Sequence, residues 1–181
     1  METRLRSVQR FITDHDPQGR TRVSHLPPLE WQQLANGDRF ALGYATNTIP
    51  VQMNGDADRA VYNSYLADLP GVCIPGGTVL RLVDINPGGV SPMHRTVSLD
   101  YGVVLEGEVE LVLDSGAKQL LKRGDVVVQR GTNHAWRNTS STEWARMLYV
   151  LQEAQPLLIE GVSLEEDYGG GMDDVKPSNT R

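Results

Sequence analysis

The sequence predicts an all-β protein built as a closed antiparallel barrel or jelly roll, and three observations lead there. Between Gly76 and Leu151, short runs rich in Val, Leu and Ile follow one another closely, most of them ended by a glycine turn. The run Glu108-Val109-Glu110-Leu111-Val112-Leu113 alternates, so Val109, Leu111 and Leu113 share one face and the glutamates the other, as in a half-buried strand. Little helical periodicity separates these runs, which disfavours the strand–helix–strand units of a parallel sheet.

A chain of 181 residues, 39% of them hydrophobic, is long enough for one domain with a substantial core and too short for two comfortable ones. A formal net charge of -6 argues against nucleic acid or an anionic membrane surface as partner, since both call for a basic footprint. No apolar h-region follows the charged residues of Met1-Glu2-Thr3-Arg4-Leu5-Arg6, and no apolar run approaches membrane-spanning length, so a cytoplasmic protein is expected. The single cysteine, Cys73, cannot close an internal disulfide, which fits a reducing compartment. Its neighbours Val72 and Ile74 mark it as a small buried hydrophobe in preference to a nucleophile.

Residues 1–70 read as an N-terminal arm and barrel-covering segments, 71–155 as the barrel, and 156–181 as a C-terminal extension. In the first region, residues 7–13 and 20–24 predict a hairpin around the turn Asp14-His15-Asp16-Pro17-Gln18-Gly19. His15 in that turn and His25 beside Leu26-Pro27-Pro28 are expected in solvated loops and receive no role. Residues 29–34 suggest a helical turn, 40–51 an irregular strand ended by Pro50, and 56–59 a polar, exposed stretch. Residues 62–69 fit a short helix or an extended segment, with Tyr62 and Tyr65 either lining a pocket or packing. In the barrel, strands are expected at 78–85, 99–105, 108–113, 117–121, from 126, and at 144–151. The tail from Glu165 is acidic, glycine-rich and poor in apolar residues, which predicts disorder.

The chemistry concentrates between Gly88 and Asn138, read as the barrel mouth. Two of the four histidines, His94 and His134, lie here, each beside a glycine turn and each leading into a strand. That arrangement suggests a metal or substrate site.

The same residues carry a family resemblance. The stretch from Gly88 to Gly107 resembles the first cupin motif: Gly88, His94 and Gly107 fit, while Thr96 stands at the second histidine position and Asp100 at the glutamate. The stretch from Gly124 to Asn138 resembles the second motif through Gly124, Gly131, His134 and Asn138, with Gln129 where proline is usual and one residue fewer after Gly124. The wording of both motifs, together with Val8-Gln9-Arg10-Phe11-Ile12-Thr13, is similar to small single-domain fungal cupins encoded beside polyketide synthases in salicylaldehyde-type pathways. That resemblance implies a cupin barrel and a cupin-domain oxidoreductase acting on a polyketide-type intermediate. Relatives without oxidative activity, as decarboxylases or dehydratases, are an alternative it leaves open.

Residues two apart in a regular strand share a face, which would turn His94, Thr96, Ser98 and Asp100 one way and His134, Trp136 and Asn138 together. His94, Asp100 and His134 are therefore the expected ligands of a divalent metal, Fe(II) favoured, with Mn, Zn or Ni as other occupants. Thr96 is a poor neutral ligand, expected to hydrogen-bond a bound water or the substrate. Without metal, Asp100 becomes a carboxyl in an apolar cup, with a raised pKa and a general acid or base role. That would suit a metal-free isomerase, cyclase or dehydratase. Trp136 is either a wall for the substrate or barrel packing, and Arg81, if turned inward, holds a carboxylate or carbonyl oxygen. No Gly-x-Gly-x-x-Gly fingerprint indicates a nucleotide cofactor. The expected partners are a small-molecule substrate and a second copy of the chain, paired through edge strands. A non-catalytic ligand-binding cup is the competing class.

Overall fold

The computed structural model describes residues 3–25 and 27–178. In chain order the strands are β1 (Phe11–His15), β2 (Thr21–His25), β3 (Trp31–Gln33), β4 (Arg39–Ala45), β5 (Thr78–Ile85), β6 (Ser98–Glu106), β7 (Glu108–Leu113), β8 (Lys118–Lys122), β9 (Val126–Arg130), β10 (His134–Asn138), β11 (Ala145–Glu153), β12 (Leu157–Ile159) and β13 (Val162–Leu164). Among the described residues one α-helix, α1 (Ala57–Ala67), preceded by a single 3-10 turn at Asn54–Asp56, lies between β4 and β5.

A six-stranded antiparallel sheet in the order β3-β4-β5-β11-β6-β9 faces a three-stranded sheet, β10-β7-β8. Alternation is what makes this possible: Val79, Val104, Met147 and Leu151 turn one set of side chains into the core, where Val109 and Trp136 of the second sheet meet them. The central strand β11 sets the row order. Tyr149 stands opposite Arg81 on β5 and Gly102 on β6, and Leu151 opposite Val79 and Asp100. Gly102 is needed there, since a Cβ would come within 3.1 Å of the Tyr149 ring and 2.8 Å of Val127.

On the side of β5 away from the barrel interior, Asp84 is fully buried and holds two arginines. Arg146 grips it with both arms of its fork, Nε to Oδ1 at 2.5 Å and Nη2 to Oδ2 at 2.8 Å, and Arg39 adds a third bond to Oδ2. Both guanidinium groups also lie over Trp31, at 4.7 and 5.0 Å from its ring centre. This explains a departure from expectation. Residues 29–34 do not form a helical turn, because Trp31–Gln33 pair with β4 and bring the indole under the two cations.

The N-terminal hairpin is present with a shifted start, β1 beginning at Phe11 and its turn held by the Asp16 carboxylate accepting from the backbone N–H of Gln18 and Arg20. His15 and His25 end strands rather than sit in loops, and His15 is exposed. The segment left open between helix and extended chain is α1. It takes in residues 57–59 of the stretch read as exposed, and it stops at Asp68 ahead of Pro70. Tyr62 is core: it is 1% exposed, stacks on Tyr44 at 4.7 Å, and donates to the Leu42 carbonyl.

The acidic, glycine-rich tail is the largest departure. Over residues 165–178 it is a packed strap, which corrects the expectation of disorder for that stretch; residues 179–181 lie outside those described. Asp167 and Arg95 exchange backbone hydrogen bonds, the Asp174 carboxylate accepts from Ala35 N–H, the Ser178 hydroxyl accepts from Cys73 N–H, and Val175 is 8% exposed. Composition misled because the glycines are structural here. Gly169 has φ +62° and passes so near Met93 that a Cβ would meet the Met93 carbonyl oxygen at 2.0 Å. No helix among the described residues is long and apolar enough to cross a membrane.

Candidate functional site

The site begins as a pair of backbone hydrogen bonds. His94 and His134 face each other in an isolated antiparallel bridge, N–H to carbonyl in both directions at 2.8 and 2.9 Å. Directly opposed residues in such a bridge project to the same side, and the two rings stand 4.3 Å apart. Each imidazole then folds back on its own turn: Nδ1 of His94 donates to the Pro92 carbonyl at 2.8 Å, and Nδ1 of His134 lies 2.9 Å from the Thr132 carbonyl. Both residues thus reach the carbonyl two positions earlier. The Pro92 carbonyl can only accept, so the proton of His94 sits on Nδ1 and its Nε2 lone pair is left for a ligand, the orientation that metal-binding histidines adopt.

Burial keeps the rings neutral. Desolvation lowers the pKa of His94, and desolvation reinforced by the neighbouring His94 pushes His134 down to about 3. Gln129, 3% exposed, packs against the same nitrogen: its amide nitrogen donates to the Thr132 carbonyl at 2.7 Å and lies 2.5 Å from Nδ1 of His134, where it competes with that carbonyl for the ring, while its amide oxygen accepts from the Thr132 hydroxyl at 2.7 Å. Sequence reading singled out Gln129 only as a departure from a motif. Its signal was its place one turn before the histidine.

The parity argument holds in part. His94, Thr96, Asp100, His134, Trp136 and Arg81 all line one cavity of about 80 Å³. Yet the chain between Thr96 and Ser98 is not one regular strand. It bends at Val97, Thr96, Val97 and Ser98 are all buried, and β6 starts only at Ser98 in the other sheet. Asp100 is thereby carried deeper, where its charge bears on Cys73 and Tyr149. Among the described residues no three His, Cys, Asp or Glu side chains converge closely enough to hold a metal ion together. The two imidazoles meet, and the carboxylate lines the same cavity without completing such a cluster with them.

Asp100 is 4% exposed, and its Oδ1 is buried without a hydrogen-bond partner. Desolvation raises its pKa to about 7, against a smaller lowering by Ser98. The Thr96 hydroxyl accepts from Ser98 at 2.7 Å, which leaves its own proton to donate. Trp136 serves both readings at once, meeting His134 edge-on at 5.3 Å and Tyr149 at 5.6 Å while lining the cavity. Cys73 is the buried hydrophobe expected, its thiol pushed up to about 12 by desolvation. Sequence reading missed the roof. Met172, Asp174 and Val175 of the strap line the same cavity, together with Leu34 and Phe40.

Residues 81–151 match the family model described as Cupin domain. Across nearly the whole length, the chain is 53% identical to the Phomopsin biosynthesis cluster protein C' of Diaporthe leptostromiformis over 176 residues, covering 96% of this chain and 93% of that protein. The chain belongs to the cupin family. This cupin is also 46% identical to the Oryzines biosynthesis cluster protein J of Aspergillus oryzae, over 90% of this chain and 92% of the relative. It is 38% identical to the Cupin-domain-containing oxidoreductase srdB of Neurospora crassa, over 91% and 83%. The cupin motif departures seen in the sequence, Thr96 and Asp100, are the positions where the two-histidine site lacks a third partner.

Proposed function

We propose that this cupin is a cytoplasmic enzyme of fungal secondary-metabolite biosynthesis, an oxidoreductase that transforms a small organic intermediate inside the barrel. The observation that carries the reading is a pair of buried, neutral imidazoles 4.3 Å apart, opening on the same cavity as a carboxyl poised near neutral pH. Support for the biosynthetic setting comes from relatives named for biosynthesis clusters and as cupin-domain oxidoreductases.

The donor set fits a divalent metal as a two-nitrogen site, with His94 and His134 as the holding residues and remaining positions left to water or substrate. When bound, such an ion supplies Lewis-acid or redox chemistry. The chain's own residues do the rest. The Pro92 carbonyl fixes the tautomer of His94, and Gln129 with the Thr132 carbonyl fixes the position of the His134 ring. The Thr96 hydroxyl donates to a substrate oxygen, Asp100 takes up or releases a proton at its unpaired Oδ1, and the strap excludes water. A second reading, an acid–base lyase or isomerase that uses Asp100 without metal, is favoured by the absence of a third ligand beside the histidines.

Elemental analysis of protein purified without chelators separates them. We expect stoichiometric metal in the wild type, loss of it in His94→Ala and in His134→Ala, and retention in Asp100→Asn. We also expect Asp100→Asn to fail to restore the metabolite lost when the gene is deleted. Metal-free protein whose activity survives chelator and disappears in Asp100→Asn supports the second reading. Metal-free protein that binds ligand and turns nothing over marks a carrier. The polyketide character of the substrate is part of the proposal, as is a homodimer formed through the N-terminal hairpin, whose Phe11 and Val23 are exposed. Light scattering should give twice the chain mass, and a monomeric mass contradicts the pairing.

A further inference from the structure

Arg81 is a buried cation without an anion. It projects from β5 into the cavity with 7% of its surface exposed. Nη2 donates to the backbone carbonyls of Gly71 at 3.0 Å and Pro70 at 3.5 Å, and the guanidinium lies 5.1 Å from the centre of the Phe40 ring. Nε is buried and has no hydrogen-bond partner. Among the described residues, Arg81 forms no ion pair.

The same fold shows how it treats a guanidinium buried for structure. Arg146, 4% exposed, receives the bidentate carboxylate of Asp84. Asp100 does not serve Arg81 in that way. β11 lies between their strands, with Tyr149 opposite Arg81 on one side and Gly102 on the other, so Arg81 and Asp100 stand two strand spacings apart across the sheet and two residues apart along it, about 12 Å between backbones. A neutral amide would tie the Gly71 carbonyl without the desolvation cost of a charge. What a guanidinium adds is a buried, unpartnered Nε–H beside its own charge, on a residue that lines the cavity, half of a fork that fits a planar anion.

We propose that Arg81 is the anion-binding group of this cavity and that the ligand is a small organic acid, its carboxylate on Nε of Arg81 and its apolar body against Phe40, Trp136 and Tyr149. This rests on the reading of the cavity as the ligand site and names the substrate class. A cavity of about 80 Å³ suits a small acid while the strap is in place.

Calorimetric titration of the full chain with benzoate and hexanoate, each against its amide, tests it. The wild type binds the acids at least about tenfold more tightly than the amides, the worth of one hydrogen bond to a charged group. Arg81→Met, which keeps length and apolar bulk, loses that preference while keeping the melting temperature of the wild type. Arg81→Gln, which keeps a donor for Gly71, loses it as well, and serves if the methionine variant does not fold. Equal binding of acid and amide, no acid binding by the wild type, or an unchanged preference in either folded variant overturns the proposal. Acid binding needs neither turnover nor metal. An anion site in a protein without turnover therefore sinks only the enzymatic reading, and turnover of a neutral substrate without acid preference sinks only the anion site.

Discussion

Acidification from pH 7 to pH 4 should separate wild type from Asp100→Asn by roughly 3 kcal/mol of unfolding free energy. The Asp100 carboxyl has its pKa raised from 3.8 to about 7 by burial, so the folded protein binds this proton while the unfolded chain, between those values, does not. Its contribution is fully present below pH 3.8 and is lost as pH rises through about 7. His134 works in the opposite direction. Its folded pKa is depressed from 6.5 to about 3, so its contribution is present above pH 6.5 and is lost as pH falls toward 3. In the metal-free protein these two slopes, each about 1.4 kcal/mol per pH unit, offset one another over most of the range between pH 6.5 and 4. Removing Asp100 leaves the histidine slope uncompensated, so Asp100→Asn becomes acid-labile relative to wild type. Urea unfolding of chelator-treated protein at several pH values measures the difference. Parallel pH profiles for the two proteins would show that Asp100 is not the desolvated carboxyl described.

The second large effect lies outside the cavity. Asp84→Ala should destabilise the fold by about 3–5 kcal/mol, because it leaves Arg146 buried without its counter-charge and strips Arg39 of the same partner. Replacing the pair together, Asp84→Leu with Arg146→Met, should recover much of that loss, since neither charge is then stranded. The midpoint of urea unfolding, at unchanged slope, reports both. A single variant within 1 kcal/mol of wild type would mean that water reaches Arg146, against its 4% exposure.

Much of the molecule was legible in the sequence because strands write their period locally. The alternation at Val109, Leu111 and Leu113, the glycine turns, and the strands on either side of β11 followed from residues within a few positions of one another. The two histidines were legible for the same reason, each sitting against its own turn. Asp100 was harder. Its predicted meeting with the histidines assumed an unbroken strand, and the bend at Val97 that carries it to the other sheet has no strong local mark. Trp31 was misread because its pairing with Ala41 depends on two arginines elsewhere in the chain.

By itself the sequence determined an antiparallel barrel with two imidazoles at its mouth, since period-two burial and turn chemistry are properties of short segments. Only the tertiary structure decided that Asp100 lies apart from them, that Arg81 faces the cavity unpaired, and that the tail is its roof. Each of these is a distance between residues far apart in the chain, set by how whole sheets pack, and no local pattern encodes it.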